Sequence, residues 1–202
     1  MTGSIAVGKS YVSAVLAELG CHVLDADKTA REVVAMGTPG LRALVESFGR
    51  EVLLADGSLD RARLGAIIFA DESKRTLLNS LLHPYIIAAQ DEQLRQWERE
   101  DPRGIAVVDA ALMIESGGYR RFDKLIVVHC RPSIQAERLM ARNSLSLEEA
   151  ERRIRAQMPQ EEKMRYADFL IDTSEGFEPT RRQTIEVYGA LRALAGKDFS
   201  DG

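Results

Sequence analysis

The spacing of apolar residues along the chain predicts alternating helices and buried strands. Val12, Val15, Leu16 and Leu19 recur at helical spacing, and Gly20 ends the run. Cys21-His22-Val23-Leu24 is a short apolar segment running into Asp25-Ala26-Asp27, the pattern of a buried strand with carboxylates at its C-terminal end. From 28 to about 103 the pattern is helical. Its stripes include Val33 and Val34, then Leu41, Leu44, Val45 and Phe48, then Leu64, Ile67, Ile68 and Phe69, then Leu77, Leu78, Leu81 and Leu82. Gly37-Thr38-Pro39-Gly40 and Ala55-Asp56-Gly57-Ser58 read as turns between them. His83-Pro84 is expected to open a further helix, which Asp101-Pro102-Arg103-Gly104 ends.

Ile105-Ala106-Val107-Val108-Asp109 and Leu125-Ile126-Val127-Val128-His129 are apolar runs without alternation, as in parallel strands covered on both faces. A charged helical stretch over 134–165 follows, then a last strand over 167–172 and a closing helix over 180–194. This order predicts an α/β sheet carrying a large helical insertion.

The length of 202 residues suits one α/β domain with lobes, and an apolar share of 45% suits a sizeable core. No apolar run reaches the roughly 18 residues of a spanning helix, and the first ten residues show no signal-peptide pattern. We therefore expect a cytoplasmic protein without a membrane role. A net charge of −4 argues against a dedicated nucleic-acid binder. Cys21 and Cys130 are too few and too far apart for a disulfide framework or a zinc site.

Residues 3–10, Gly3-Ser4-Ile5-Ala6-Val7-Gly8-Lys9-Ser10, match the phosphate-loop pattern in full. Glycines let the backbone wrap round phosphate oxygens, the amide N–H groups form an anion nest, and the next helix aims its N-terminus at the same charge. Lys9 can reach the β- and γ-phosphates, and Ser10 can hold Mg²⁺. A plain glycine turn would explain neither Lys9 nor Ser10.

Asp25 and Asp27 stand where a strand meets a loop, the ligand-bearing edge of open α/β sheets. If the strand persists, alternation points both carboxylates the same way, one as a general base and the other orienting or metal-side. The competing reading makes Asp27 the cap of a following helix; the phosphate loop upstream favours the functional one. Arg138 and Arg142, four apart, share a helix face and either close over a transferring phosphoryl group or lie in a solvated face. Arg152, Arg153 and Arg155, interleaved with glutamates, read as solvated. Asp109 fits a magnesium-side carboxylate and a helix cap equally. His83 reads as a structural or capping residue, His22 and His129 as non-ligands, and Trp97 as packing.

With these motifs in view, the sequence resembles the dephospho-CoA kinases from residue 2 to about 176. The phosphate loop, Leu24-Asp25-Ala26-Asp27 with Ala30-Arg31, Phe48-Gly49, Asp56-Gly57-Ser58-Leu59-Asp60-Arg61, His83-Pro84, Asp109-Ala110-Ala111-Leu112-Met113-Ile114-Glu115, Arg138-Leu139, Arg142 and Ala156-Gln157-Met158 stand in family order. The resemblance implies transfer of the γ-phosphoryl of ATP, with Mg²⁺, to the ribose 3′-hydroxyl of dephospho-CoA. It implies a parallel-sheet P-loop kinase core over 1–28, 104–137 and 164–202, an inserted helical CoA-side domain over 29–103, and a helical lid over 138–163. By the same resemblance Asp27 is the general base, acting with Lys9 and Arg138. Gly3, Ala6, Val7, Gly8, Lys9, Ser10, Tyr11, Arg138 and Arg142 would bind ATP. Asp25, Asp27, Arg31, His83 and Leu112 would lie on the substrate side, and Ser10 and Asp27 beside the metal. Ala111 stands where the family has proline, Tyr11 where it has Thr or Ser, and Ser174-Glu175 in place of part of an Asn-containing turn.

Two alternatives remain at this level: a P-loop kinase with another nucleotide-like acceptor, and a non-enzymatic nucleotide-binding protein that kept the fold. A phosphate loop should also follow a strand, yet only Met1 and Thr2 precede Gly3. We therefore expect the first core strand to be missing, and the native chain to extend upstream by about five to ten residues.

Overall fold

The structure is a computed structural model and describes residues 1–197; of the segment 164–202 expected in the core, residues 198–202 lie outside the described part. Two compact units divide the chain: residues 1–24 with those from 101 onward, and residues 25–100.

In the first unit the phosphate loop leads into α1 (Lys9–Glu18), and β1 (His22–Asp25) follows and pairs with β2 (Ala106–Asp109). β3 (Ile126–His129) pairs in parallel with β4 (Phe169–Asp172), Ile126 opposite Phe169 and His129 opposite Asp172. Asp168 fixes the start of that register, accepting the Leu125 N–H at 2.8 Å and the Lys124 ammonium at 3.0 Å. Residues 1 and 2 join β2 to β3. The Thr2 N–H donates to Ile126 O and the Val128 N–H to Thr2 O, both at 2.9 Å, while the Ala110 N–H donates to Met1 O at 3.1 Å. A cavity of about 210 Å³ beside Met1 is lined by residues 105–108, Ile126, Leu191 and Leu194.

Between the strands and their flanking helices lies a core of Val7, Val12, Leu16, Val107, Ile126, Val128, Ile171 and Val187. The last belongs to α9 (Phe177–Lys197), which packs on α1 and β4. β3 is buried along Ile126–Val128, as its lack of alternation predicts; in β2 Val107 and Val108 are buried while Ala106 is exposed, and in β4 Ile171 is buried while Leu170 is exposed. Cys21 and Cys130 are reduced and buried here; burial pushes the Cys21 thiol up to about 11 and raises Cys130 as well.

The charged stretch after β3 forms three helices. α6 (Pro132–Asn143) opens with proline at its first turn, where a missing N–H costs nothing. It buries Gln135 and Leu139, one turn apart. α7 (Leu147–Arg155) starts on a capping box in which Ser146 and Glu149 satisfy each other's backbone N–H groups. α8 (Gln160–Met164) buries Lys163 completely.

The second unit comprises α2 (Ala26–Glu32), α3 (Pro39–Phe48), α4 (Arg61–Ala70) and α5 (Glu72–Glu100). Thr38 caps α3 and Asp60 caps α4. The predicted turn at 55–58 closes an antiparallel Leu53–Leu59 bridge. Val34, Leu44, Phe48, Val52 and Leu64 form this unit's own core.

One expectation fails here. His83-Pro84 does not open a helix: α5 runs unbroken for 29 residues with Pro84 inside it. Proline removes one backbone bond, but α5 packs on α2, α3 and α4, and these tertiary contacts carry the helix across the defect. His83 is an exposed mid-helix residue rather than a cap.

Candidate active site

The phosphate loop takes its shape from three residues. Gly3 passes so close to β3 that a β-carbon there would run into the Val128 carbonyl oxygen. Gly8 sits at φ 89° as the N-cap of α1, where a side chain would be strained and would press on Thr173. Ala6 also holds a left-handed φ of 61°, uncommon for a residue with a β-carbon. Val7 is buried and anchors the loop to the core. Lys9 and Ser10 occupy the first turn of α1, whose free N–H groups and dipole face the loop. Tyr11 packs its ring against Phe177, centroids 4.8 Å apart.

Asp109, at the end of β2, stands beside this loop. Its Oδ2 accepts the Ser13 hydroxyl at 2.9 Å, and its Oδ1 lies 3.8 Å from Lys9 Nζ. Oδ1 is buried with no hydrogen-bond partner. It faces the Lys9 charge at a distance too long for a hydrogen bond, so its hydrogen-bond capacity is unused. It is not a helix cap, which removes one of the two readings open from sequence.

Arg138, from α6, reaches the same loop through Thr173. Its guanidinium donates to Thr173 Oγ1 at 2.8 Å and to Thr173 O at 2.7 Å; the Thr173 hydroxyl in turn donates to Val7 O at 2.7 Å. Thr173 is buried, and no pattern in the sequence marked it. Next to it Asp172 accepts from the Ser174 hydroxyl at 2.6 Å and the Ser174 N–H at 2.8 Å. Burial raises its pKa, but the hydrogen bonds outweigh this and hold the carboxyl below the usual aspartate range. Arg142 is exposed and bonds only its neighbour Asn143 among the described residues. Its spacing puts it on the Arg138 face, yet nothing joins it to the loop. Leu112, in the turn after β2, is 54% exposed.

In the second unit the strand does not persist through Asp27, as the alternation argument required. α2 begins at Ala26, and Asp25, not Asp27, is its cap. Asp25 Oδ1 accepts the Asp27 N–H at 2.8 Å and the Lys28 N–H at 3.0 Å. The side chain of Asp27, in the first turn, is exposed and makes no hydrogen bond or ion pair among the described residues. Arg31 is exposed, its carbonyl taking a hydrogen bond from Arg61 at 3.3 Å.

The glycine-bounded loop entering the N-terminus of α1 beside β3 and β4 is the arrangement of the P-loop kinase class. Sequence comparison narrows the class. The family described as dephospho-CoA kinase matches residues 1–178, and the chain belongs to this family. It is 46% identical over 187 residues to the dephospho-CoA kinase of Listeria monocytogenes, covering 92% of each chain. It is 40% identical to that of Carboxydothermus hydrogenoformans, covering 99% of this chain and 95% of the relative. Among solved structures, the dephospho-CoA kinase of Campylobacter jejuni superposes with a TM-score of 0.72 at 30% identity, over 95% of each chain. A Thermus thermophilus crystal structure superposes with a TM-score of 0.81 at 29% identity, over 94% of each. Among the described residues, no helix is long and apolar enough to cross a membrane.

Proposed function

We propose that this chain transfers the γ-phosphoryl group of ATP to the ribose 3′-hydroxyl of dephospho-CoA, the last step of coenzyme A synthesis. The observation that carries the ATP half is the loop with Lys9 facing Asp109; family membership carries the acceptor. The loop amides and the α1 N-terminus receive the phosphates, and Lys9 turns from Asp109 toward the β- and γ-oxygens. Arg138 holds the far side of the loop through Thr173, and we assign it to stabilise the charge that develops on the equatorial oxygens. The exposed Ser10 hydroxyl and Asp109 Oδ1, which accepts no hydrogen bond, are hard oxygen donors and fit Mg²⁺, which keeps most of its waters. When bound, the ion supplies charge neutralisation to the phosphates. We assign Asp27 as the base that accepts the hydroxyl proton and contributes on the metal side. The two carboxylates differ in this: Asp25 is committed to capping α2, Asp27 is uncommitted. Asp25 then orients the Asp27 backbone, and Arg31, His83 and Leu112 are substrate-side candidates. Residues 138–163 act as the lid, in which Arg142 is free to reach the nucleotide on closure.

Incubation with ATP, Mg²⁺ and dephospho-CoA, read by mass spectrometry, tests this reading. One phosphoryl group on the acceptor is the expected product; consumption of ATP with a nucleoside monophosphate instead would assign a different acceptor.

A further inference from the structure

Four amide groups outside the phosphate pocket grip one residue of the loop. The Cys130 N–H donates to Gln160 Oε1 at 3.0 Å, and Gln160 Nε2 to Gln135 Oε1 at 2.8 Å. Gln135 Nε2 then donates to the Ile5 carbonyl at 2.7 Å, and the Ile5 N–H donates to Gln157 Oε1 at 2.7 Å. Gln135 and Gln160 are buried at 1% and 9% exposure, so their amides have little water to turn to. From Cys130 to the Ile5 carbonyl all donors point the same way, so each bond polarises the next through the Gln160 and Gln135 amides. The Ile5 N–H, on the neighbouring peptide, is held separately by Gln157. Two of the links come from one short segment: Gln157 touches Ile5 directly, and Gln160, three residues on, reaches it through Gln135.

From this chain we infer that Gln157 and Gln135 are positioning residues that set the ATP affinity of the phosphate loop from the segment 157–160. The inference rests on the kinase reading above. Anion binding needs loop N–H groups directed at the phosphates and carbonyl oxygens directed away. With its carbonyl bound by Gln135 and its N–H by Gln157, Ile5 cannot flip a peptide and turn a carbonyl toward the phosphate charge. The next residue, Ala6, is the one held at φ 61°. A strained residue of this kind persists where its surroundings over-determine it, and the two bonds to Ile5 supply that constraint. A shift of the 157–160 segment alters both bonds together, so lid position and loop shape are coupled.

Two variants test this, with Mg²⁺-ATP affinity read by calorimetry without acceptor. Gln157→Ala removes the acceptor for the Ile5 N–H at a half-buried position. Gln135→Glu keeps the shape and the acceptor for Gln160 but removes the donor to Ile5 O. Gln157→Ala is expected to weaken ATP binding about three- to tenfold, the worth of one neutral hydrogen bond, and Gln135→Glu by at least as much, since a carboxyl oxygen then faces the Ile5 carbonyl. In turnover, KM for ATP rises by a similar factor with kcat within about twofold, and the melting midpoint of Gln157→Ala stays at the parent value. Parent-like ATP affinity in Gln157→Ala overturns the inference, as does weakening that appears only with a lowered melting midpoint. If Gln135→Glu fails to fold, Gln157→Ala decides alone. A parent protein that binds ATP yet leaves dephospho-CoA unchanged overturns the reaction reading while this affinity test stands.

Discussion

Lys9 and Asp109 face each other at the mouth of the phosphate loop, Nζ 3.8 Å from Oδ1, each side chain 18% exposed. The separation exceeds a hydrogen bond, so the pair is poised rather than closed. Lys9→Ala is expected to lower kcat about 10²–10³-fold, the scale for removing one positioned charge from a transition state. Asp109→Asn keeps the shape and the Ser13 contact but loses the charge, and should raise the magnesium concentration needed for half-maximal rate. Steady-state assays at several magnesium concentrations check both; a Lys9→Ala enzyme within a few-fold of the parent would sink the loop assignment.

Asp25 and Asp27 should separate cleanly. Asp27→Asn is expected to cut kcat about 10²–10⁴-fold, the range for a lost general base, with ATP affinity retained. Asp25→Ala instead loses the α2 cap and about 0.5–2 kcal/mol of stability. Single-turnover rates and urea melts on both variants decide; a dead Asp25→Asn beside an active Asp27→Asn would move the base to Asp25.

Lys163 carries a stability prediction. Its ammonium, fully buried on α8, donates to Ala111 O at 2.9 Å and pairs with Glu115 at 2.7 Å. Lys163→Ala empties a fully buried site and leaves the Ala111 carbonyl without its donor, with an expected cost of about 1–3 kcal/mol. Urea denaturation measures it. Replacement by methionine together with Glu115→Gln should recover much of the loss.

Arg138 and Arg142 share a helix face but not a set of contacts. Arg138→Ala breaks both bonds to Thr173 and should raise KM for ATP and lower kcat, each by about tenfold or more. Arg142→Ala touches nothing in the loop and should act only on the chemical step, through the closed lid. Full activity in the double variant would return both residues to a solvated surface.

The last prediction concerns acid. Asp168 accepts the Leu125 N–H and the Lys124 ammonium, which lower its pKa below the usual aspartate value. A carboxyl with a lowered folded pKa adds stability that is complete above its unfolded value, about 3.9. That stability is lost as pH falls through the folded value. Unfolding curves of the parent and Asp168→Asn should therefore differ above about pH 4 and converge below it. A difference that persisted in stronger acid would place the stabilisation elsewhere.

What could be read from sequence was local. The phosphate loop is a contiguous pattern, so residues 3–10 declare themselves, and the buried strands follow from unbroken apolar runs. Pro84 misled because propensity is local and the packing that overrides it is not. Asp25 and Asp27 were separable only once the strand was seen to stop, since the capping role depends on where α2 begins. Thr173 left no signature, and although Gln157 stands in a motif of the resemblance, nothing local links it to Ile5, 152 positions away. One signal was available, since Gln135 lies one turn from Leu139 on the apolar face of α6. A polar side chain on a buried helix face must find partners.

The two thiols give the molecule a built-in clock. Both lie in the nucleotide-binding unit, and the helical unit of residues 25–100 has none. With Cys21 raised to about 11, almost none of it is thiolate at neutral pH, and burial shields both sulfurs from reagents. An alkylating agent is therefore expected to react mainly with molecules in which the surroundings of these sulfurs have opened. Its rate is expected to follow the opening of that unit, without a label, a mutation or a signal from the cysteine-free residues 25–100.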